Sequence, residues 1–128
     1  MTSPELPAMS MAMTMSLAFV AAGGALGSVA RYLVSHVVPF PWGTLAVNVA
    51  GSFAIGIVFV AIASRGPGYL FLVAGVLGGF TTFSAFSLDT LRLIEGGRFG
   101  MAIGYVTASL VLSILACLAG LITGRGLT

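Results

Sequence analysis

Only 6% of the 128 residues are charged, whereas 59% are hydrophobic, and the formal net charge is +2. Soluble domains carry about 25% charged residues, so this chain has too few to cover a surface that faces water. The composition excludes a soluble domain and predicts an integral membrane protein. Because the net charge is small and no basic cluster occurs, nucleic-acid binding is not indicated either.

The N-terminal residues differ in composition from the rest of the chain. They contain Pro4, Glu5, Pro7 and several methionines, and they lack the basic segment that opens a signal peptide. We therefore predict that residues 1–14 form a disordered tail and that residues 15–128 form one transmembrane domain.

Four segments are long and apolar enough to cross a membrane, which requires about 20 apolar residues for a helix. They run from about Met15 to Val38, Gly43 to Ala63, Tyr69 to Glu95, and Phe99 to Thr123. The linkers are short, so helices that follow one another in sequence are expected to be neighbours. The predicted fold class is an all-α membrane protein with four transmembrane helices.

The third span is interrupted by a short polar run, GGFTTFSAFS, which extends from Gly78 to Ser87. Backbone groups freed by a loosened helix in lipid must be satisfied by protein, water or ions. Such interruptions mark binding sites in transport proteins. We predict that this helix is broken in the middle of the membrane.

The arginines are almost evenly divided between the two sides of the membrane. Arg65 and Arg125 lie on one side, and Arg31, Arg92 and Arg98 lie on or near the other. Orientation follows the Lys/Arg bias of the loops, which nearly vanishes here. The count is consistent with insertion in both orientations, or simply with the noise of a small protein.

Glycines at helical spacing form three Gly-xxx-Gly steps, at residues 23 and 27, 75 and 79, and 120 and 124. Small residues let helix backbones approach closely. Ordinary packing within the subunit explains such steps. Four helices also leave little room for a sealed pathway, so we interpret these surfaces as an indication of an oligomer.

Polar side chains within the spans are the candidates for function. Asn48 is either an interhelical hydrogen-bonding residue or a donor that faces an anion. Tyr105, Ser109 and Ser113 are spaced four residues apart, so their hydroxyls share one helix face. They form either a row of anion donors or bonds back to their own backbone.

Three phenylalanines recur every third residue in the third span, at positions 80, 83 and 86. The edge of an aromatic ring is electropositive and its face is electronegative. Ring edges would favour a small anion in a dry pathway, although plain packing is the simpler interpretation of such a triplet. The hydroxyls interleaved with the rings favour the pathway, because packing does not need them.

The acidic residues are also informative by their positions. Asp, Glu and Lys do not occur in the first, second or fourth predicted span, whereas a proton-coupled exporter needs a carboxylate near the membrane centre. The chain also lacks a Walker motif, a cluster of metal ligands and a nucleophile–base pair. We predict that it is not an enzyme.

Three segments together resemble one family. GGALGSVARY (residues 23–32), GTLAVNVAGSFAIG (43–56) and GGFTTFSAFS (78–87) resemble, in this order, the Fluc fluoride channels, also called CrcB-type proteins. The resemblance covers about residues 15–124. It implies a passive, fluoride-selective channel in the plasma (inner) membrane that exports cytoplasmic fluoride, built as an antiparallel, dual-topology homodimer with two pores.

The resemblance also implies roles for individual residues. Fluoride-pore positions are matched by Asn48, Phe83, Phe86, Tyr105, Ser109 and Ser113, and nearby polar positions of the pore region by Thr44 and Ser84. Arg31 matches an arginine at the vestibule. The backbone carbonyls of Gly78 and Thr81 match the ligands of a structural sodium ion. The chain departs from the family at Ala85, where many members have Thr, and at Asp89, where Glu is frequent.

Two other functions fit the composition. A small dual-topology multidrug or cation exporter also has four spans and forms dimers, but its first span would carry an acidic residue. An accessory subunit without transport activity is the other alternative.

Overall fold

The computed structural model describes residues 5–128, with side chains from Ser10 onward, and its helices account for all regular elements of that range. We number them α1 (Glu5–Val37), α2 (Trp42–Ala61), α3 (Pro67–Tyr69, π-helical Leu70–Leu77 and Gly78–Phe80), α4 (Phe83–Glu95) and α5 (Phe99–Leu127).

Four stretches of this chain are long and apolar enough to cross a membrane: Ser10–Val37, Trp42–Ala61, Pro67–Glu95 and Phe99–Leu127. They confirm the all-α class and the four predicted spans, and α3 and α4 together make the third span. The first helix begins at Glu5, well before the predicted start of the span at Met15. Methionine and alanine, which favour helix, extend it in this direction. The division into a tail, residues 1–14, and a channel domain stays a prediction, and residues 1–4 lie outside the described range.

The third span is broken, as the polar run predicts, but the break does not fall at the glycines. Gly78 keeps helical angles, with φ −63° and ψ −39°. The backbone becomes extended at Thr81, with ψ 155°, and at Thr82, with φ −154°. The neighbouring Gly79 is needed instead for packing, because a β-carbon there would lie 3.1 Å from the α-carbon of Gly24 in α1.

The helices associate as two pairs, α1 with α3 and α2 with α5. In each pair, backbone lies against backbone. A β-carbon on Gly27 would overlap the carbonyl oxygen of Val76, and one on Gly120 would overlap that of Phe53. The three Gly-xxx-Gly steps are therefore used inside the subunit. Ordinary packing is thus the interpretation that these contacts support, and the oligomer stays a prediction that rests on other observations.

The two pairs meet around the break and at one end of the molecule. Phe86, Leu93, Ala102 and Tyr105 form a small buried core between α4 and α5. At the same end, the guanidinium groups of two arginines lie over the ring of Phe40 in the first linker, Arg92 at 4.5 Å and Arg98 at 5.5 Å from its centroid. The first and third linkers therefore share one side, as the arginine count assumes.

Candidate functional site

A groove of about 410 Å³ lies beside the break, between the two helix pairs. Its walls come from α2, α3, α4 and α5. Seven of the residues singled out in the sequence line it: Asn48, Gly78, Thr81, Phe83, Phe86, Ser109 and Ser113. Residues that are up to 65 positions apart in the chain are thus brought to one cavity in the middle of the third span.

Asn48 holds the extended backbone of the break from the opposite helix. Its Nδ2 donates to the carbonyl oxygen of Thr82 at 2.9 Å, and its Oδ1 accepts from the Thr82 N–H at 2.8 Å. Both polar groups of a residue that has left the helix are satisfied by one amide, as lipid surroundings require. The interhelical hydrogen bonds foreseen for Asn48 are therefore present, and one Nδ2 hydrogen is left for a ligand in the groove.

The carbonyl groups from Gly78 to Thr81 lose their helical donors at the break. In a continuous helix the Thr82 N–H would bond to the Gly78 carbonyl and the Ala85 N–H to the Thr81 carbonyl. The Thr82 N–H bonds instead to Asn48, and the Ala85 N–H bonds to Oγ1 of Thr82 at 3.1 Å. Gly78 and Thr81 are the two of these residues that line the groove, and their carbonyl oxygens are among those released.

Two phenylalanine rings stand on the first turn and a half of α4. Their centroids are 5.3 Å apart and their planes are inclined by 44°. Phe86 is buried and packs on the Tyr105 ring at 5.6 Å, whereas Phe83 is 74% exposed. Only one of the two rings is therefore held by the subunit itself.

The hydroxyl row on α5 is divided between the groove and the core beneath it. Ser109 and Ser113 line the groove, and Tyr105 is fully buried below Phe86. Within the described part of the chain, the Tyr105 hydroxyl and Ser109 Oγ are buried and make no hydrogen bond. Other hydroxyls of the spans, such as Thr123, bond to the carbonyl four residues earlier. Ser109 does not follow this pattern: its Oγ lies beside the Tyr105 hydroxyl and makes no bond to its own backbone.

A buried carboxylate lies on the far side of Tyr105. Asp89 accepts a hydrogen bond from Thr44 Oγ1 at 2.6 Å, and its other oxygen is 3.7 Å from Arg92 Nη1. The tyrosine hydroxyl lies close to Thr44, Asp89 and Ser109. Thr44, Asp89 and Arg92 line a second cavity of about 170 Å³ that also includes Ser35 and Phe40.

Besides Tyr105 and Thr44, two further predicted residues lie apart from the groove. Ser84 is exposed, and its Oγ is 3.2 Å from Thr82 Oγ1. Arg31 is half-buried on α1, one turn before Ser35, and it is not among the residues that line either cavity.

Sequence reasoning missed three residues of this region. Thr82 is the N-cap of α4, and its position just before an apolar helical run was the available signal. Gly51 leaves space for the Thr81 side chain, which a β-carbon on Gly51 would overlap. Asp89 entered the sequence analysis only as a departure from the family, because a single carboxylate one turn from an arginine gives no indication of a third partner on another helix.

The chain is similar to known proteins over most of its length. The sequence profile of the family described as CrcB-like protein, Camphor Resistance (CrcB), matches residues 18–121. A protein of Paracoccus denitrificans named fluoride-specific ion channel FluC is 55% identical over 115 residues, which cover 84% of this chain and 93% of the relative. A protein of Agrobacterium fabrum with the same name is 53% identical over 122 residues, which cover 88% and 98%.

Proposed function

This chain belongs to the CrcB family, and we propose on that premise that it is a fluoride-selective channel that exports cytoplasmic fluoride passively across the plasma (inner) membrane. Its relatives are named fluoride-specific ion channels. The observation that carries the proposal is the groove itself. An amide, two phenylalanines and unused hydroxyl donors converge on a helix break in a chain with hardly any charge.

The chemistry of the groove suits a small, strongly hydrated anion. Fluoride entering a dry pathway must exchange water for other donors. Ser109 Oγ, which makes no bond within the described chain, supplies a hydroxyl. Asn48 supplies the remaining Nδ2 hydrogen, and the rings of Phe83 and Phe86 supply electropositive edges. Each of these groups is neutral, so each stabilises the ion without trapping it. Ser113, also on the groove wall, and Tyr105, Thr44 and Ser84 extend the donor set in this proposal.

We further propose that two copies with opposite orientation enclose two such pathways. Phe83 is 74% exposed in the single subunit, and a ring in that state cannot wall a dry passage alone. The nearly balanced arginines are consistent with both orientations. Arg31 stays a proposed vestibule residue that draws anions towards the membrane.

A structural sodium ion is the proposed resident of the break. The donors that helix geometry assigns to the carbonyl oxygens of Gly78 and Thr81 are diverted to other partners, so these oxygens fit a hard cation that prefers oxygen ligands. Bound there, sodium would supply a static positive charge that satisfies the free carbonyls. It takes no part in moving the anion.

Such a channel would remove fluoride that enters the cell as its neutral acid. Neutral hydrogen fluoride crosses membranes, dissociates in a less acidic cytosol and leaves the anion trapped inside. A passive pathway for the anion lets it leave along its electrochemical gradient, which gives resistance to fluoride.

The test is ion efflux from proteoliposomes that contain only this chain. We expect fluoride to leave rapidly, as measured with a fluoride electrode, while matched vesicles loaded with chloride retain it. Efflux driven by a proton gradient with an organic cation, and no fluoride efflux, would instead establish the exporter. Inactivity in both assays would leave the accessory subunit as the remaining alternative.

A further inference from the structure

We infer that the side chains of Thr82 and Asn48 build the cation site indirectly, by holding two backbone N–H groups away from the carbonyl oxygens that would bind the ion. They are positioning residues, which act through the backbone and not as ligands. The inference rests on the proposed sodium site and adds the cause of its existence, namely two diverted hydrogen bonds in the middle of one span.

The first diversion is made from the neighbouring helix pair. Asn48 on α2 takes the Thr82 N–H, at 2.8 Å, and binds the Thr82 carbonyl at 2.9 Å. With both groups engaged, Thr82 stays extended and the helical bond to the Gly78 carbonyl does not form. An apolar side chain at position 48 would leave this N–H without a partner in lipid. The Gly78 carbonyl is the partner within reach, so the turn would close.

The second diversion is made within the break. Thr82 Oγ1 accepts from the Ala85 N–H at 3.1 Å, which is the bond of a helix N-cap. The same N–H would otherwise extend α4 backwards to the Thr81 carbonyl. The hydroxyl of Thr81 plays no such part, because it donates to the Leu77 carbonyl at 2.9 Å.

The two half-helices add an electrostatic contribution of the right sign. The released carbonyls of α3 belong to a helix C-terminus, where the macrodipole is negative and cations are favoured. In transport proteins, the unwound carbonyls of discontinuous helices coordinate sodium in this way. If the break closed, both the oxygens and the negative end would be lost together, so affinity for the ion depends on the two side chains that keep it open.

The experiment measures the sodium dependence of thermal unfolding for the purified full-length protein in detergent. Sodium chloride replaces choline chloride at constant ionic strength, and the unfolding midpoint is followed by the fluorescence of Trp42. A ligand that binds only the folded state raises the midpoint with concentration. The apparent sodium affinity is read from that dependence, without any flux measurement.

Three threonine variants, two at the N-cap Thr82 and one within α4, isolate the contribution of the Thr82 hydroxyl. We expect Thr82→Val to weaken the apparent sodium affinity at least tenfold, because the Ala85 N–H returns to the Thr81 carbonyl. Thr82→Ser keeps the cap and should stay within about threefold of the parent protein. Thr90→Val is the matched control, since that hydroxyl only bonds to the Phe86 carbonyl one turn earlier.

A second pair of variants tests the amide and does not depend on the folding of Thr82→Val. Asn48→Leu, which cannot accept the Thr82 N–H, should lose the sodium response. Asn48→Asp keeps an acceptor for the Thr82 N–H but loses the donor to the Thr82 carbonyl, so it should retain a weakened sodium response.

The outcomes separate the two proposals. If the parent protein is no more stable in sodium than in choline, the sodium site itself is refuted and this inference falls with it. If the parent responds but Thr82→Val and Asn48→Leu respond with the same affinity, the sodium site stands and the positioning role is refuted.

Discussion

Ser109→Ala should slow fluoride efflux and, at the same time, slightly stabilise the folded protein. The serine is 5% exposed, and its hydroxyl has no partner within the described chain. A buried polar group without a hydrogen bond costs about 1–3 kcal/mol, and alanine removes that cost together with only one oxygen atom. Alanine is also the better helix former. We therefore expect a gain on the order of 1 kcal/mol in the free energy of unfolding.

The effect on transport has the opposite sign. A hydrogen bond to a charged group contributes about 1.5–3 kcal/mol, and each 1.36 kcal/mol changes a rate by about tenfold. If the hydroxyl replaces a water molecule of the passing anion, its loss should slow fluoride efflux by about ten- to a hundredfold.

The assay pairs a fluoride electrode on proteoliposomes with denaturant unfolding in detergent. Thr123→Ala on the same helix is the control, because its hydroxyl already bonds to the Ala119 carbonyl at 2.9 Å and flux should stay at the parental level. Unchanged flux in Ser109→Ala would refute the donor role. A loss of stability would show that the hydroxyl has a structural partner, for example in a second copy.

Three further predictions concern other parts of the molecule. Phe86→Ile should lower fluoride efflux by more than about tenfold, which corresponds to a loss of about 1.4 kcal/mol, because it removes an electropositive ring edge from the path of the anion. Gel filtration should show an unchanged assembly, and normal efflux would exclude a role for the ring. Gly27→Ala should destabilise the protein by about 1–3 kcal/mol, because its β-carbon would meet the backbone of α3. Gly24→Ala is the control and should not destabilise it, since the space around Gly24 is open. Equal unfolding midpoints for the two variants would contradict the packing of α1 on α3. Thr44→Val should cost about 1–3 kcal/mol in denaturant unfolding because it leaves the buried Asp89 carboxylate without its 2.6 Å donor, and no loss would mean that another donor replaces it.

The sequence predicted the class of fold well because the bilayer imposes strict lengths. Spans of about 20 apolar residues leave little freedom in placing four helices. The polar run from Gly78 to Ser87 located the break to within a few residues. What it could not give is the residue at which the helix ends, since that depends on Asn48, 34 positions earlier, meeting Thr82 in space.

The sequence predicted which residues belong to the candidate site better than it predicted how they are arranged. Family motifs supplied the groove residues, and the structure brings seven of them together. Periodicity alone placed Tyr105, Ser109 and Ser113 on one face but could not show that Tyr105 lies under a phenylalanine while the serines face the groove. The glycine steps were visible too, yet spacing does not reveal whether the opposing backbone belongs to the same chain.

The glycine contacts between α1 and α3 and between α2 and α5 have a mechanical consequence. Where main chain touches main chain, there are no side-chain rotamers to yield, so the spacing of the two helices in each pair is set when the chain folds. In the proposed channel, any adjustment to a bulkier halide has to come from the side chains of the groove, such as the exposed Phe83 ring.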